Sequence, residues 1–396
     1  MTEPMPVTRE MLEDWANNSA GPVALHLRQK LIPVEGEGAV IFPPTYADIG
    51  YNIDTLSDGT KVATIDSVGS QANRIEPLFA TEPLATLVPQ IRIKLPSGEE
   101  TSLMSLPHRA ADAAILGCPD LAKLAADAFA ALKKGDAAPL AWFAPTSLIF
   151  GVWDSRGGSG QKVPRLLRSV VRAYDVDVLH GAAQYTAAIR HASDEDKHEF
   201  AKALGVEVAS LSDDGFADAP ALFRPVSRSA EKEMPQFANG RANPDRRVLG
   251  GVIARGGIRR ELTLNLIALR RLNTKDDKRA RLIRQYVLAL ALLAAVADRD
   301  ELLFLREGCL LRLDSEPAWT LAHRAGDPQP IRLHGDHAKK LIEEFAKEMA
   351  DHCRPQWPSQ LSHVFDVGSA RKEIAKRRRK RGKSVQEGDS DTSAAS

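Results

Sequence analysis

The sequence predicts an α+β protein, a sheet covered by helices and carrying insertions. Three observations lead there. Runs such as "LVPQIRIKL" (Leu87 to Leu95) and "RSVVRAYDVDVL" (Arg168 to Leu179) have the alternation and β-branched content of half-buried strands. "PDLAKLAADAFAALKKGD", from Pro119, has helical spacing. The two kinds of run alternate along 396 residues, which exceeds the roughly 250–300 at which one hydrophobic core stops growing, so large insertions or a second lobe are expected.

In chain order, "ALHLRQKLIPVEGEGAVIFPPTY" (Ala24 to Tyr46) reads as a first strand and then a loop punctuated by Gly and Pro. The helix from Pro119 has Pro and Asp at its start, lysines in its last turn and Gly135 as its stop. "APTSLIFGVWD" (Ala144 to Asp154) has strand-like composition, so the glycine-rich "SRGGSGQK" that follows is expected to join two strands at a sheet edge or tip. "DEDKHEFAKALG" is a short amphipathic helix, and the polar, Pro-bearing stretch at about 210–245 is expected to be a flexible excursion. Two strands around Gly256 and Gly257 precede a long buried helix at about Asp276 to Ala297; strand "ELLFLREGCLLRL" and helix "DHAKKLIEEFAKEMADH" follow. These segments make residues 1–370 one body with insertions, and 371–396 a basic tail, "RKEIAKRRRKRGKSVQEGDSDTSAAS", expected to be disordered when unbound.

Composition narrows the class. Hydrophobic content of 43% and charged content of 27% are those of an ordinary soluble chain. The N-terminus carries acids and no apolar core of a signal, and "YVLALALLAAVA" is shorter than the ~18 residues a membrane span needs. A cytoplasmic protein without a membrane partner is the expectation. Cys118, Cys309 and Cys353 are odd in number and far apart, against a disulfide framework.

The formal net charge of +1 hides a local imbalance: thirteen Lys and Arg stand against four acids between Arg241 and Arg284. Arginine predominates there, as suits bidentate phosphate contact. A second cluster, Arg156, Lys162, Arg165, Arg168 and Arg172, surrounds the glycine-rich loop, with Phe150, Trp153, Tyr174 and Tyr185 near enough to stack bases. Both "SRGGSGQK" and "ARGGIRR" put glycine beside arginine, where a phosphate could approach main-chain amides. Against this, single arginines on helices are commonly a solvated face and glycines commonly turn residues.

Other chemistries find little support. Neither GxxxxGK[ST] nor GxGxxG occurs, and no Ser or Thr follows Lys162 to hold magnesium. His334 and His337 with His352 and Cys353 match no closed zinc motif. Asp175 with Asp177 on one side of a strand, Asp213 with Asp214, or His180 as a base could serve a ribonuclease. Paired acids and lone histidines are more often ordinary surface groups.

Three long stretches, "DSVGSQANRIE" (Asp66 to Glu76), "SLIFGVWDSRGGSGQKVPRLLRSVVRAYDVD" (Ser147 to Asp177) with "AAQY" after it, and "ARGGIRRELTLNLIALRRL" (Ala254 to Leu272), resemble one family. It is the RAMP-superfamily backbone subunit of type I-U (I-G) CRISPR interference complexes of the Cascade kind. The resemblance implies a modified RRM (ferredoxin-like) palm with helical finger insertions and a β-hairpin thumb. It implies a non-catalytic protein, with neither cofactor nor metal, that polymerises along CRISPR RNA and presents the guide to target DNA. The implied partners are further copies of the chain, a cap subunit that processes the RNA ends, a large subunit and a recruited helicase-nuclease. By position it implies RNA contacts at Ser70, Gln71, Asn73 and Arg74, along Trp153, Arg156, Lys162, Arg165, Arg168 and Arg172, and at Gly256, Gly257, Arg259 and Arg260. The alternative kept beside it is a ribonuclease that cuts RNA paired to the guide.

Overall fold

The computed structural model describes residues 3–46, 49–154, 160–181, 193–204, 207–208, 248–297, 303–372 and 375. The principal elements are helix α1 (Arg9–Asn17), strands β1 (Ala24–Pro33), β2 (Val40–Ile41) and β3 (Lys61–Asp66), then helices α2 (Val68–Ile75), α3 (Pro119–Lys133), α4 (Ala138–Phe143) and α5 (Pro145–Phe150). Strands β4 (Val152–Trp153), β5 (Lys162–Val163), β6 (Leu167–Tyr174) and β7 (Val176–Gly181) follow, then α6 (Asp194–Leu204), β8 (Val248–Ala254) and β9 (Ile258–Asn265). The chain closes with α7 (Asp277–Val296), β10 (Phe304–Arg306), β11 (Cys309–Leu313), β12 (Ala318–Ala322) and α8 (Asp336–Cys353). The class is α+β, as the periodicities predict.

The centre of the main sheet has the order β12-β1-β9-β6-β3, and every pair in it is antiparallel. β11 also pairs with β1, at the Leu31–Pro33 end that β12 leaves free. Four strand segments, β1, β6, β9 and β11 with β12, thus follow in chain order, with the helical stretch that includes α2 to α5 between the first and second and α7 between the third and fourth. The fourth segment lies beside the first, and the third between the first and the second.

Strand β6 ends at Asp175, whose φ of +50° lets the chain leave the main sheet. Beyond it, β7 and β8 form an antiparallel pair that continues β6 and β9 outward, and β2 adds a third strand to it. Gly257 (φ +79°) is the matching corner on the return, and a Cβ on Gly256 would stand 2.9 Å from the Tyr174 carbonyl oxygen.

One face of the sheet is dry. Leu25, Leu27, Leu262, Leu264 and Leu167 pack under α7, whose residues Tyr286 to Ala295 are buried without interruption. A helix apolar on every side needs cover all round, and α1, α4, α5 and α8 contact it. Farther along the same face Leu31, Val171, Ala173 and Ile258 join Ile41 and Val252 in a second cluster.

Three sequence expectations are corrected. Pro145–Phe150 is a helix, not a strand; all six residues are buried, so its apolar composition reflects burial rather than a β period. The run Leu87 to Leu95 keeps only Arg92–Lys94 as strand. "ELLFLREGCLLRL" is two strands, β10 and β11, turning at Gly308 (φ +69°). The excursion at about 210–245 and the tail beyond Lys372, save for residue 375, lie outside the described residues.

Truncating Leu290, fully buried in α7, leaves a cavity that its packed neighbours cannot close. Leu290→Ala should lower unfolding free energy by about 3 kcal/mol, read from a urea midpoint shift at unchanged slope.

Candidate nucleic-acid interface

Strand alternation that buries leucines on one face puts charge on the other. On β1, Leu25, Leu27 and Leu31 point inward, while His26, Arg28 and Lys30 alternate with them. On β9, Leu262 and Leu264 are inward and Arg259, Glu261 and Thr263 outward; on β6, Arg168 and Arg172 are outward. Register then lines these residues up. Arg172 is opposite Arg259, and Arg259 is opposite Lys30.

Neighbouring strands run about 4.8 Å apart, so this row holds three cations at close quarters. Like charges directly opposite one another destabilise a sheet. Glu261 relieves part of it, 3.7 Å from Arg28 and 3.9 Å from Arg172, and Arg259 lies over the Tyr174 ring at 4.5 Å. A polyanion laid across the face would relieve the rest. Arg312 on β11 extends the cationic face opposite Ile32, and beyond it Phe304 and Leu310 pair across β10 and β11, 50% and 42% exposed.

A short hairpin stands just before β6 in the chain. β4 and β5 form a hairpin in which Trp153 is opposite Lys162, and the Lys162 ammonium lies 4.4 Å from the centre of the indole. Trp153 is 57% exposed, so its ring is presented rather than packed into the core. Gly151 (φ +78°) makes the turn possible: a Cβ there would stand 2.8 Å from Arg165 Cγ and 3.0 Å from the Val163 carbonyl oxygen. Burial, then the nearby charges of Arg109 and Arg168, pull the Arg165 pKa below its ordinary value. Arg156 lies outside the described residues.

On α2, Ser70, Gln71 and Arg74 are held by a buried carboxylate, while Asn73 is exposed. Asp66, fully buried at the end of β3, accepts from Ser70 Oγ at 2.6 Å, Gln71 Nε2 at 2.7 Å and Arg74 Nε at 3.1 Å. Gln71 Oε1 accepts from Ser169 Oγ (2.7 Å), whose oxygen accepts from Arg260 Nε (3.1 Å). Gln71 and Arg260 are buried, and desolvation pushes the Arg260 pKa down to about 10. Asn73 Oδ1 accepts from Arg109, which also donates to the Gly151 carbonyl and pairs with buried Glu76. Burial, opposed by that pairing, pushes the Glu76 carboxyl up to about 7.

The second Gly-Arg loop likewise spends its amides at home. The N–H groups of Arg255, Gly256 and Gly257 donate to the carbonyls of Asp175, Tyr174 and Ala254. Its glycines serve a corner rather than a phosphate cradle. Some arginines of the basic run are engaged within the fold: Arg270 donates to the carbonyls of Trp15 and Pro22, Arg284 donates to that of Leu272, and exposed Arg279 lies over Trp142, whereas Arg271, Lys275, Lys278 and Arg281 are exposed.

Two of the acids considered for catalysis have places in the described fold. Asp175 forms the kink, whereas Asp177 pairs with Arg255 at 2.8 Å. His180 lies on β7 opposite Leu249, and Asp213 and Asp214 lie outside the described residues. Cys118, Cys309 and Cys353 are buried, and burial raises each thiol pKa. Among the described residues no three His, Cys, Asp or Glu cluster as a metal site would, and no helix is long and apolar enough to cross a membrane.

Sequence reasoning passed over Arg28, Lys30, Arg312 and Phe304. The signal for the first two was the strict alternation in "LHLRQKL", which places His26, Arg28 and Lys30 on one face. Residues 25–178, which run from β1 through the helical insertion and the β4–β5 hairpin into β7, match a family model described as CRISPR-associated protein GSU0053. That stretch is similar to a CRISPR-associated family. No curated protein matches the chain. A CRISPR-related role is supported, and the matched stretch contains Arg28, Lys30, Trp153, Lys162, Arg168 and Arg172.

Structural and surface groups should separate cleanly under mutation. Asp66→Ala strands three donors and should cost about 3–5 kcal/mol, whereas Arg168→Ala, on the exposed face, should stay within about 0.5 kcal/mol of the parent. Denaturant unfolding of the two variants checks this.

Proposed function

We propose that the chain is the CRISPR RNA-binding backbone subunit of a type I-U/I-G, Cascade-like complex, of the RAMP superfamily. Copies polymerise along the guide RNA and hold it for pairing with target DNA in antiviral defence. On this reading the protein is cytoplasmic and non-catalytic. A cap subunit, a large subunit and a recruited helicase-nuclease complete the machinery. The β-α-β-β-α-β connection with its fourth, first, third, second strand order supports an RRM-like palm. The β7–β8 pair, reaching beyond that sheet from Asp175 to Arg255, is the candidate thumb, and the helical stretch before β6 the candidate fingers.

The observation that carries the proposal is the outward row Arg172, Arg259, Lys30, flanked by Arg28 and Arg168. Its charges are spaced one strand apart on a surface that a backbone can cross without base readout. The hairpin's exposed Trp153 supplies a stacking surface. Gln71 and Arg260 act from beneath as supports of the sheet, while Ser70, Asn73 and Arg74 fix α2 beside it.

Purified full-length protein should bind CRISPR RNA at moderate salt, and Lys30→Ala with Arg172→Ala should reduce the salt slope by about one for each phosphate that is no longer neutralised. Unchanged affinity and slope would sink the assignment. Incubation with complementary RNA and magnesium separates the ribonuclease reading, since regularly spaced cuts would contradict a scaffold. Deleting residues 371–383, which hold the basic block, should flatten the slope without abolishing binding.

A further inference from the structure

One row of the outward face offers a different chemistry from the cationic row. Arg168 on β6 is opposite Thr263 on β9, Thr263 is opposite His26 on β1, and His26 is opposite Thr320 on β12. Four strands thus present, in order, a guanidinium, a hydroxyl, an imidazole and a hydroxyl. His26 Nδ1 and Thr263 Oγ1 are 3.2 Å apart, and Thr320 Oγ1 donates to the His26 main-chain carbonyl at 3.5 Å. All three polar side chains are half-buried, so bonds made there are shielded in part from water.

A phosphate oxygen only accepts hydrogen bonds, and Arg168 suits it. Threonine hydroxyls and a neutral imidazole both donate and accept. Their complement is a ligand group that does the same. Along a strand whose phosphates rest on Arg168 and Arg28, the ribose 2′-hydroxyl is such a group, recurs at every nucleotide and is missing from DNA.

We propose that Thr263, His26 and Thr320 form a ribose-reading row that makes this face prefer RNA to DNA. The proposal rests on the outward face being the nucleic-acid surface, and the test keeps the two apart. Binding of a uridine oligomer and of its 2′-deoxy and 2′-O-methyl counterparts is measured at one salt concentration, with the full-length chain and a Thr263→Val/Thr320→Val variant. Thermal denaturation checks that the variant folds, and Thr263→Ser, which keeps the hydroxyl, serves as the rescue.

The parent should bind the ribose oligomer most tightly. The double valine variant should lose about thirtyfold on it, as two hydrogen bonds of ~1 kcal/mol would give, while DNA binding stays within about twofold. The serine variant should keep the preference. An equal loss on both sugars, an unchanged ratio, or a variant that fails to bind although folded overturns the ribose row. If Arg28→Ala and Arg168→Ala leave RNA and DNA binding alike untouched, the face itself is wrong and the row falls with it.

Discussion

The Asp66 carboxylate is the joint on which the candidate surface depends. It ends β3, anchors the first turns of α2 through Ser70 and Gln71, and takes Arg74 and Arg306 as counter-charges, the latter at 3.5 Å. Through Gln71 and Ser169 it reaches Arg260 on β9, so helix and strands β3, β6, β9 and β10 share one connected set of buried polar groups. A buried charge is tolerated only with such company. Because Arg260 and Glu261 are neighbours on one strand, anchoring the inward residue also fixes where the outward ones stand. The cationic row is as rigid as the network beneath it.

That coupling explains why polar residues in "DSVGSQANRIE" carry two possible meanings. Read along the chain, Ser70, Gln71, Asn73 and Arg74 look like ligands for phosphate at a helix start. In the fold they serve a carboxylate eight residues or fewer upstream, or accept from Arg109. Sequence shows the polar groups but not which partner lies within hydrogen-bond reach of them. The same holds for "ARGGIRR": glycine beside arginine is equally the composition of a corner whose amides are already bonded.

Much else was legible. The first strand from Ala24, the two strands around Gly256 and Gly257, the capped helix from Pro119 and the buried run in α7 appear in the structure at nearly the expected residues. Periodicity reports which face a residue occupies once the element is known, so His26, Arg28 and Lys30 could have been assigned to one face. Register is a different matter. That Lys30 stands opposite Arg259, some 230 residues away in sequence, depends on strand pairing that no local pattern encodes. Pro145–Phe150 failed for the opposite reason, since a segment buried on all sides has no period to read.

The opposed cations of Arg172, Arg259 and Lys30 bear on how long the protein lasts as well as on what it binds. A folded state whose surface repels itself is at its weakest when empty. Any polyanion that binds only the folded chain adds RT ln(1 + [L]/Kd) to its stability. On the proposed reading the folded population would therefore be tied to the supply of RNA: copies made in excess would open more often and meet proteases sooner. A chain of that kind would hold its own abundance near the amount of RNA it can coat.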